Sequence, residues 1–392
     1  MRLAGITVRM WATRLGFAIG RRRPVQRRVV LATAHADTIG GNLACIAAEL
    51  AGRRPAIEVI TMTTFPRRTI RGRIAVLWQA VRAGHLLATS RLFVVDDYFL
   101  PVYVIRPRAG TTIAQVWHAC GAFKKFGYSV LDKTFGADET LTDRVPIHAN
   151  YDVCLVSSPA VVPHFADAFR QPPEHFRSDL GIPRTDVLFG AERVARITND
   201  VRRRYAIPDG RRVILYAPTF RGDNASAARF SDALDLRRMH DALGDDHVVL
   251  VRLHPFIRAA APVPPELAEF AIDVSDHPDI NELLLVADVL VTDYSSVIFE
   301  YALLGRPMLF FAPDLAAYER ERGFYFDYAS GVPGPIFATT DALVMHLREG
   351  QDDLDRVARF RDTWFEVADG RATERFVDAI VLPALGVDAR TA

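Results

Sequence analysis

Lysine is nearly missing from this chain. Only Lys124, Lys125 and Lys133 occur, so almost all of the 48 basic side chains are arginines. Cysteine is as scarce: Cys45, Cys120 and Cys154 are odd in number and widely spaced. That excludes a disulfide framework and a cysteine metal site, and it fits a reducing compartment. Net charge is also small, at +1, which argues against bulk nucleic-acid binding. No apolar run reaches the ~18 to 20 residues of a membrane span. Arg14 interrupts the apolar stretch 10–20 and no small-residue cleavage site follows, which argues against a signal peptide. No Asp-x-Asp pair stands at an expected strand end. The adjacent pairs Asp96-Asp97 and Asp352-Asp353 are poorly spaced for a metal, so neither a metal nor another cofactor is expected.

What is present is core. Half of the 392 residues are hydrophobic and 24% are charged, enough for two globular domains. The charge is unevenly placed. Residues 1–34 carry Arg2, Arg9, Arg14, Arg21, Arg22, Arg23, Arg27 and Arg28 and no acid, so the rest carries −7. Residues 1–27 read as a basic leader. Leu3, Ile6, Met10, Trp11, Leu15, Phe17 and Ile19 form a loose apolar face beside the arginines, suited to an anionic membrane surface; a disordered basic segment fits equally.

Beyond it, short apolar runs alternate with helical patterns. Strands are expected at 28–33, 57–62, 92–95, 112–117 and 151–157, with helices at 43–50, 73–88 and 159–169. After a break at 181–186 the alternation restarts, with strands at 213–216, 247–253, 289–291 and 308–311. Helices are expected there at 232–243, 280–286, 297–304, 341–349 and 354–367. Such alternation implies βαβ units and parallel sheets. The expected division is 28–186, 187–375 and a tail at 376–392. In open parallel sheets, ligands sit beyond the carboxyl ends of the strands.

Four polar clusters fall at such ends. Val289-Leu290-Val291 feeds a helix through Thr292-Asp293-Tyr294-Ser295-Ser296. Free N–H groups and the helix dipole at such a turn favour a phosphate, although ordinary capping by Ser295 or Ser296 explains the same residues. The turn lacks glycine, which excludes a Walker loop or a dinucleotide fingerprint. Glu300 lies one helical turn on and can accept from ribose hydroxyls, or be a solvated carboxylate. His118 follows a strand and can serve as general base. Lys124 and Lys125 can neutralise phosphate. A structural histidine and two solvated lysines is the plainer account. Thr219 and Arg221, and then Arg252 and His254, stand past two further strands with a hydroxyl, guanidinium groups and an imidazole.

Order and spacing decide among these. WHACGAFKKFGY, GIPRTD, YAPTFRGD, RLHP and VTDYSSVIFEYALLGRPMLFF followed by YERERGFYFDY resemble the CDP-glycerol glycerophosphotransferase family, the teichoic acid primases and polymerases. Ala119 and Glu300 depart from residues common in that family. The resemblance implies an α/β GT-B-like fold of two Rossmann-like domains around a cleft. A first domain would serve the acceptor and a second the CDP donor. It implies transfer of glycerol or ribitol phosphate from a CDP-polyol to a lipid-linked polymer acceptor at the cytoplasmic face of the membrane, releasing CMP. His118 then matches the base, and His254 the second catalytic residue, placed to stabilise the charge on the leaving CMP. His254, Arg252, Thr219 and Arg221 match the donor phosphate pocket, Asp293, Ser295 and Ser296 the diphosphate turn, Glu300 the ribose side, and Lys124 a phosphate contact. A glycosyltransferase of the same fold using a UDP- or GDP-sugar is the alternative, and a silent membrane-bound scaffold a third reading.

Overall fold

The computed structural model describes residues 2–53, 57–63, 69–131, 142–221, 234–253 and 263–387. Twelve strands among them form two six-stranded sheets, parallel throughout. The first half contributes β1 (Gln26–Thr33), β2 (Glu58–Thr63), β3 (Ser90–Val95), β4 (Thr112–Gln115), β5 (Val153–Leu155) and β6 (Phe176–Arg177), ordered β2-β1-β3-β4-β5-β6. The second contributes β7 (Arg212–Ala217), β8 (His247–Val251), β9 (Ala271–Asp273), β10 (Val289–Thr292), β11 (Met308–Phe311) and β12 (Ile336–Phe337), ordered β12-β11-β10-β7-β8-β9. Central strands are covered on both faces: every residue of β8, β10 and β11 is buried. That is why they read as unbroken apolar runs rather than as alternating ones.

β4 is shorter than its apolar run suggests. Trp117 turns left-handed at φ 51°, and the Gln115 side-chain oxygen accepts from the Trp117 N–H at 2.8 Å. The chain therefore leaves the sheet at Gln115 and delivers His118 to a tight turn beyond it.

The basic leader is an ordered helix, α1 (Arg2–Gly20), packed along α3 (Ile70–Thr89). The two backbones touch. A Cβ on Gly16 would meet the Val81 carbonyl at 1.9 Å, and one on Gly84 the Thr13 carbonyl at 2.0 Å. Only hydrogen fits at either place, and this close approach locks the pair. Arg28 is no part of a loose basic tail either. Its buried guanidinium donates to Thr89 Oγ1 and to Ser90 Oγ.

The segment read as a tail at 376–392 begins as helix. Phe376, Val377, Val381, Leu382 and Leu385 are buried, and Asp378 pairs at 3.1 Å with Arg53, which caps the end of α2 (Gly41–Gly52). The chain thus crosses back to the first half. At this second crossing Asp186 accepts from the Ala372 and Thr373 N–H groups at 2.9 and 2.8 Å, and from Thr373 Oγ1 at 2.7 Å.

Candidate functional site

Three strand ends of the first sheet converge. Past β1 comes His35, past β3 come Asp96 and Asp97, and past β4 comes His118. The turn holding His118 is tied to the start of α2, where the buried Asn42 donates to the Val116 and Trp117 carbonyls at 2.8 and 2.9 Å. His118 Nδ1 lies 3.2 Å from the Asp96 carbonyl oxygen and 3.7 Å from Asp97 Oδ1. The ring stacks on Trp117 and stands 5.8 Å from that of His35, centroid to centroid. Water reaches 44% of the His118 side chain, yet protein encloses the rest.

Charges follow from this packing. Loss of hydration lowers the His118 pKa, and the opposing charge of Asp97 only partly restores it, so the ring is neutral near pH 7. The hydrogen bond to Asp97, 3.2 Å away, raises the pKa of His35 against burial. Burial also opposes the Asp97 carboxylate, but His35, His118 and the Tyr98 N–H outweigh it and its pKa falls. Asp96 is less well supported, by His35 at 3.8 Å and by the Thr33 side chain. Burial pushes its carboxyl up to about 6 despite His35, and its Oδ1 has no hydrogen-bond partner.

The stretch after His118 runs against the second half. Gly121 adopts φ 62°, and a Cβ there would overlap the Phe299 ring at 2.2 Å. The Phe123 carbonyl accepts from the Tyr325 N–H, the Lys125 N–H donates to the Gly323 carbonyl, and the Phe123 ring packs on Phe299, Phe324, Phe326 and Tyr328. Lys124 bridges Phe324 through the backbone, and its Nζ donates to the Tyr318 hydroxyl at 3.2 Å. Arg184, from the GIPRTD turn, joins both sides. Its guanidinium donates to the His118 carbonyl and lies 3.5 Å from Glu300. Glu300 is buried, facing Arg184 and Cys120, and its Oε2 has no hydrogen-bond partner. Desolvation raises its pKa despite Arg184.

In the second sheet Asp293, past β10, organises the neighbouring turns. Its Oδ1 accepts from the N–H and hydroxyl of Thr219 at 2.8 and 2.9 Å and from the Tyr294 N–H at 2.6 Å. Its Oδ2 accepts from Arg221 Nη1 at 2.9 Å. Arg221 also forks onto Asp314 at 2.6 and 3.0 Å and lies over Tyr294 and Tyr318. The sequence assigned Arg221 and Thr219 to phosphate. In the structure the Arg221 guanidinium meets two carboxylates, and Thr219 is bound to one of them. Ser295 and Ser296 sit half-buried at the start of the helix Val297–Ala302, where Ser295 Oγ accepts from the Val297 N–H at 3.4 Å and Ser296 makes no side-chain cap. The Arg252 guanidinium donates to the Ser275 carbonyl. His254 lies outside the described residues.

Arg184 therefore joins the His118 turn to Glu300 at the junction of the halves, while Lys124 reaches Tyr318. Thr219, Arg221 and Asp293 form a second cluster, linked to it by the Ser295-Ser296 turn. Sequence reasoning missed His35, Asp97, Arg184 and Asp314. The signal for the first two was their position just past β1 and β3. Among the described residues no three His, Cys, Asp or Glu side chains are placed to hold a metal.

Comparison with known proteins supplies the context. The chain is 39% identical over 360 residues to the teichoic acid ribitol-phosphate primase of Bacillus spizizenii, covering 91% of this chain and 92% of that one. It is 36% identical to the teichoic acid poly(ribitol-phosphate) polymerase of the same organism, again over 91% of this chain but spanning only 56% of that protein. Among solved structures, the wall teichoic acid polymerase TagF superposes with a TM-score of 0.79 over 96% of this chain and 94% of that one, at 22% identity, and shares the GT-B-like fold. Residues 16–382 match the family model of the CDP-glycerol:poly(glycerophosphate) glycerophosphotransferases, and the chain belongs to that family.

Proposed function

We propose that this chain transfers glycerol phosphate or ribitol phosphate from a CDP-polyol to a hydroxyl of a lipid-linked wall or capsule polymer, releasing CMP, and works as a peripheral protein on the cytoplasmic face of the membrane. The observation that carries this reading is the setting of His118 at the junction of two GT-B halves. With Nδ1 protonated and held by the Asp96 carbonyl and by Asp97, Nε2 is left as an acceptor. It takes the proton of the attacking hydroxyl. The new oxygen–phosphorus bond forms as the bond to the CMP oxygen breaks, and the leaving charge passes to CMP. Asp97 steadies the imidazolium that results. Ser295, Ser296, Arg252 and His254 are the donor-side candidates for that charge, Glu300 for the ribose and Lys124 for a phosphate.

The membrane reading draws on α1 and α3. Val8, Trp11, Leu15 and Ile19 of α1 and Ile74 and Trp78 of α3 are exposed, the two tryptophans at 66% and 74%. Isolated exposed apolar residues are ordinary, but six on one helix pair mark a contact surface. No helix among the described residues is long and apolar enough to cross a membrane.

The test is CMP release from CDP-glycerol and CDP-ribitol with purified lipid-linked acceptor. Release from either donor, abolished in His118→Ala, is the expected result. Turnover of UDP- or GDP-sugars in place of both would overturn it. Trp11→Glu with Trp78→Glu should lower sedimentation with anionic vesicles, and unchanged sedimentation would remove the membrane part.

A further inference from the structure

The strand ends of the first sheet carry a second imidazole besides that of His118. His35 follows β1, its ring centroid 5.8 Å from that of His118 and its plane tilted by 55°. Water reaches 45% of its side chain. Its Nδ1 lies 3.0 Å from Thr33 Oγ1, 3.2 Å from Asp97 Oδ2 and 3.8 Å from Asp96 Oδ1. Two carboxylates therefore stand at the Nδ1 edge of His35, against one at His118. Nε2 is the nitrogen left to meet a ligand.

Anchoring Asp97 does not account for this residue. The Tyr98 N–H already donates to Asp97 Oδ1 at 2.7 Å, on the oxygen that faces His118. What His35 adds is charge. The two acids favour its protonated form and raise its pKa, while burial lowers that of His118. One ring thus favours the cation and its neighbour the neutral acceptor. Titratable groups whose settings drive their pKa values apart mark a division of roles. The charge of His35 also bears on His118 and, with that of Arg184, helps to keep it neutral. Arg184 donates to the His118 carbonyl, so a second positive group stands on this side.

We infer that His35 is a further catalytic residue, an imidazolium whose Nε2–H grips a non-bridging oxygen of the phosphoryl group that the hydroxyl at His118 attacks. The inference rests on the transferase reading above and adds a cation on the first-half side of the reacting phosphorus. The oxygen that gives its proton to His118 bonds to phosphorus in the same step, which brings the phosphoryl oxygens close to a ring this near. His118 Nε2 takes the hydroxyl proton, the new oxygen–phosphorus bond forms, and the bond to the CMP oxygen breaks with its electrons going to CMP. His35 keeps its proton throughout and offsets the charge gathering on the phosphoryl oxygens.

Steady-state CMP release across pH, from CDP-glycerol or CDP-ribitol with lipid-linked acceptor, tests this. The groups that face His35 are Thr33, Asp96, Asp97, His118 and Arg184. In the unmodified enzyme kcat should fall as pH rises through a value above 6.5, where His35 loses its proton. His35→Gln should lower kcat about 10²-fold at pH 7, leave KM for the acceptor unchanged and abolish that alkaline limb. His35→Arg should regain about tenfold of the loss, since a guanidinium can take the same oxygens. A residue acting only through Asp97 would move the acid limb set by His118 and leave the alkaline limb in place, and that outcome overturns the inference. So does a raised KM for the acceptor with kcat intact, which would put His35 on a phosphate of the polymer instead. Nitrogen-15 spectra of the histidine side chains in the full chain need no turnover. Inorganic diphosphate and CDP-glycerol should each hold the His35 ring protonated to higher pH, and glycerol should not. A titration that neither anion moves overturns the inference. Failure of CMP release in a protein whose His35 still answers to diphosphate would sink the transferase reading and leave the anion site at His35 standing.

Discussion

Asp97 Oδ1 stands 3.7 Å from His118 Nδ1, while its other oxygen lies 3.2 Å from His35 Nδ1. One carboxylate thus orients two imidazoles at the junction of the halves. Removing the base itself should be severe: His118→Ala should lower kcat for CMP release by ~10²- to 10⁴-fold. Asp97→Asn should cost less and leave the melting temperature within a few degrees. Steady-state CMP release and a thermal melt on the same samples separate the two effects.

The pH profile gives a second check. Burial lowers the His118 pKa and Asp97 raises it. The acid limb of kcat/KM should therefore fall below 6.5, the ordinary histidine value. Asp97→Asn removes the raising influence, so the limb should move further toward acid. A shift toward alkaline pH would contradict the arrangement.

Asp96 yields a stability prediction with a defined sign. Its folded pKa of about 6 exceeds the ordinary ~3.9, so the protonated carboxyl is the form the fold favours. That contribution is complete below ~3.9 and is lost as pH rises through about 6. Asp96→Asn mimics the protonated form. It should stabilise the protein by about 2 kcal/mol at pH 7, with the gain shrinking toward pH 4.5. Melting temperatures at the two pH values measure the difference.

Arg221 separates a structural from a ligand-binding role. Removing its guanidinium leaves Asp293 buried opposite no cation. Arg221→Ala should then destabilise the fold by about 3 kcal/mol. A variant that loses donor affinity with an unchanged melt would instead return Arg221 to the phosphate pocket.

Gly121 combines a left-handed φ of 62° with a Phe299 ring where any side chain would stand. Gly121→Ala should destabilise by about 2 kcal/mol or more. Adding Phe299→Leu should recover only the part due to overlap. Chemical denaturation of the single and double variants reads both parts.

Much of the fold was legible in the chain. The central strands were clear because burial on both faces leaves an unbroken apolar run. β6, β9 and β12 were not, since two or three residues carry no period. α1 was hidden by its arginines, although the small residues Gly16 and Gly20 in it, and Gly84 and Ala88 in α3, were the available sign of close packing. His118 could be singled out from its strand-end position. Asp97 was noticed only as half of a poor metal pair, because its partner arrives from another strand. The fate of Arg221 was illegible for the same reason: Asp314 lies 93 residues further along.

The chain passes between the halves twice, and both passages are fastened to the single carboxylate of Asp186. Two cords knotted at one point resist sliding and shear. Away from the knot, Arg184 and the stretch after His118 clamp the imidazole's turn to the helix that follows the serine turn, so the two sides of the cleft are secured, like a book, at both the spine and the page.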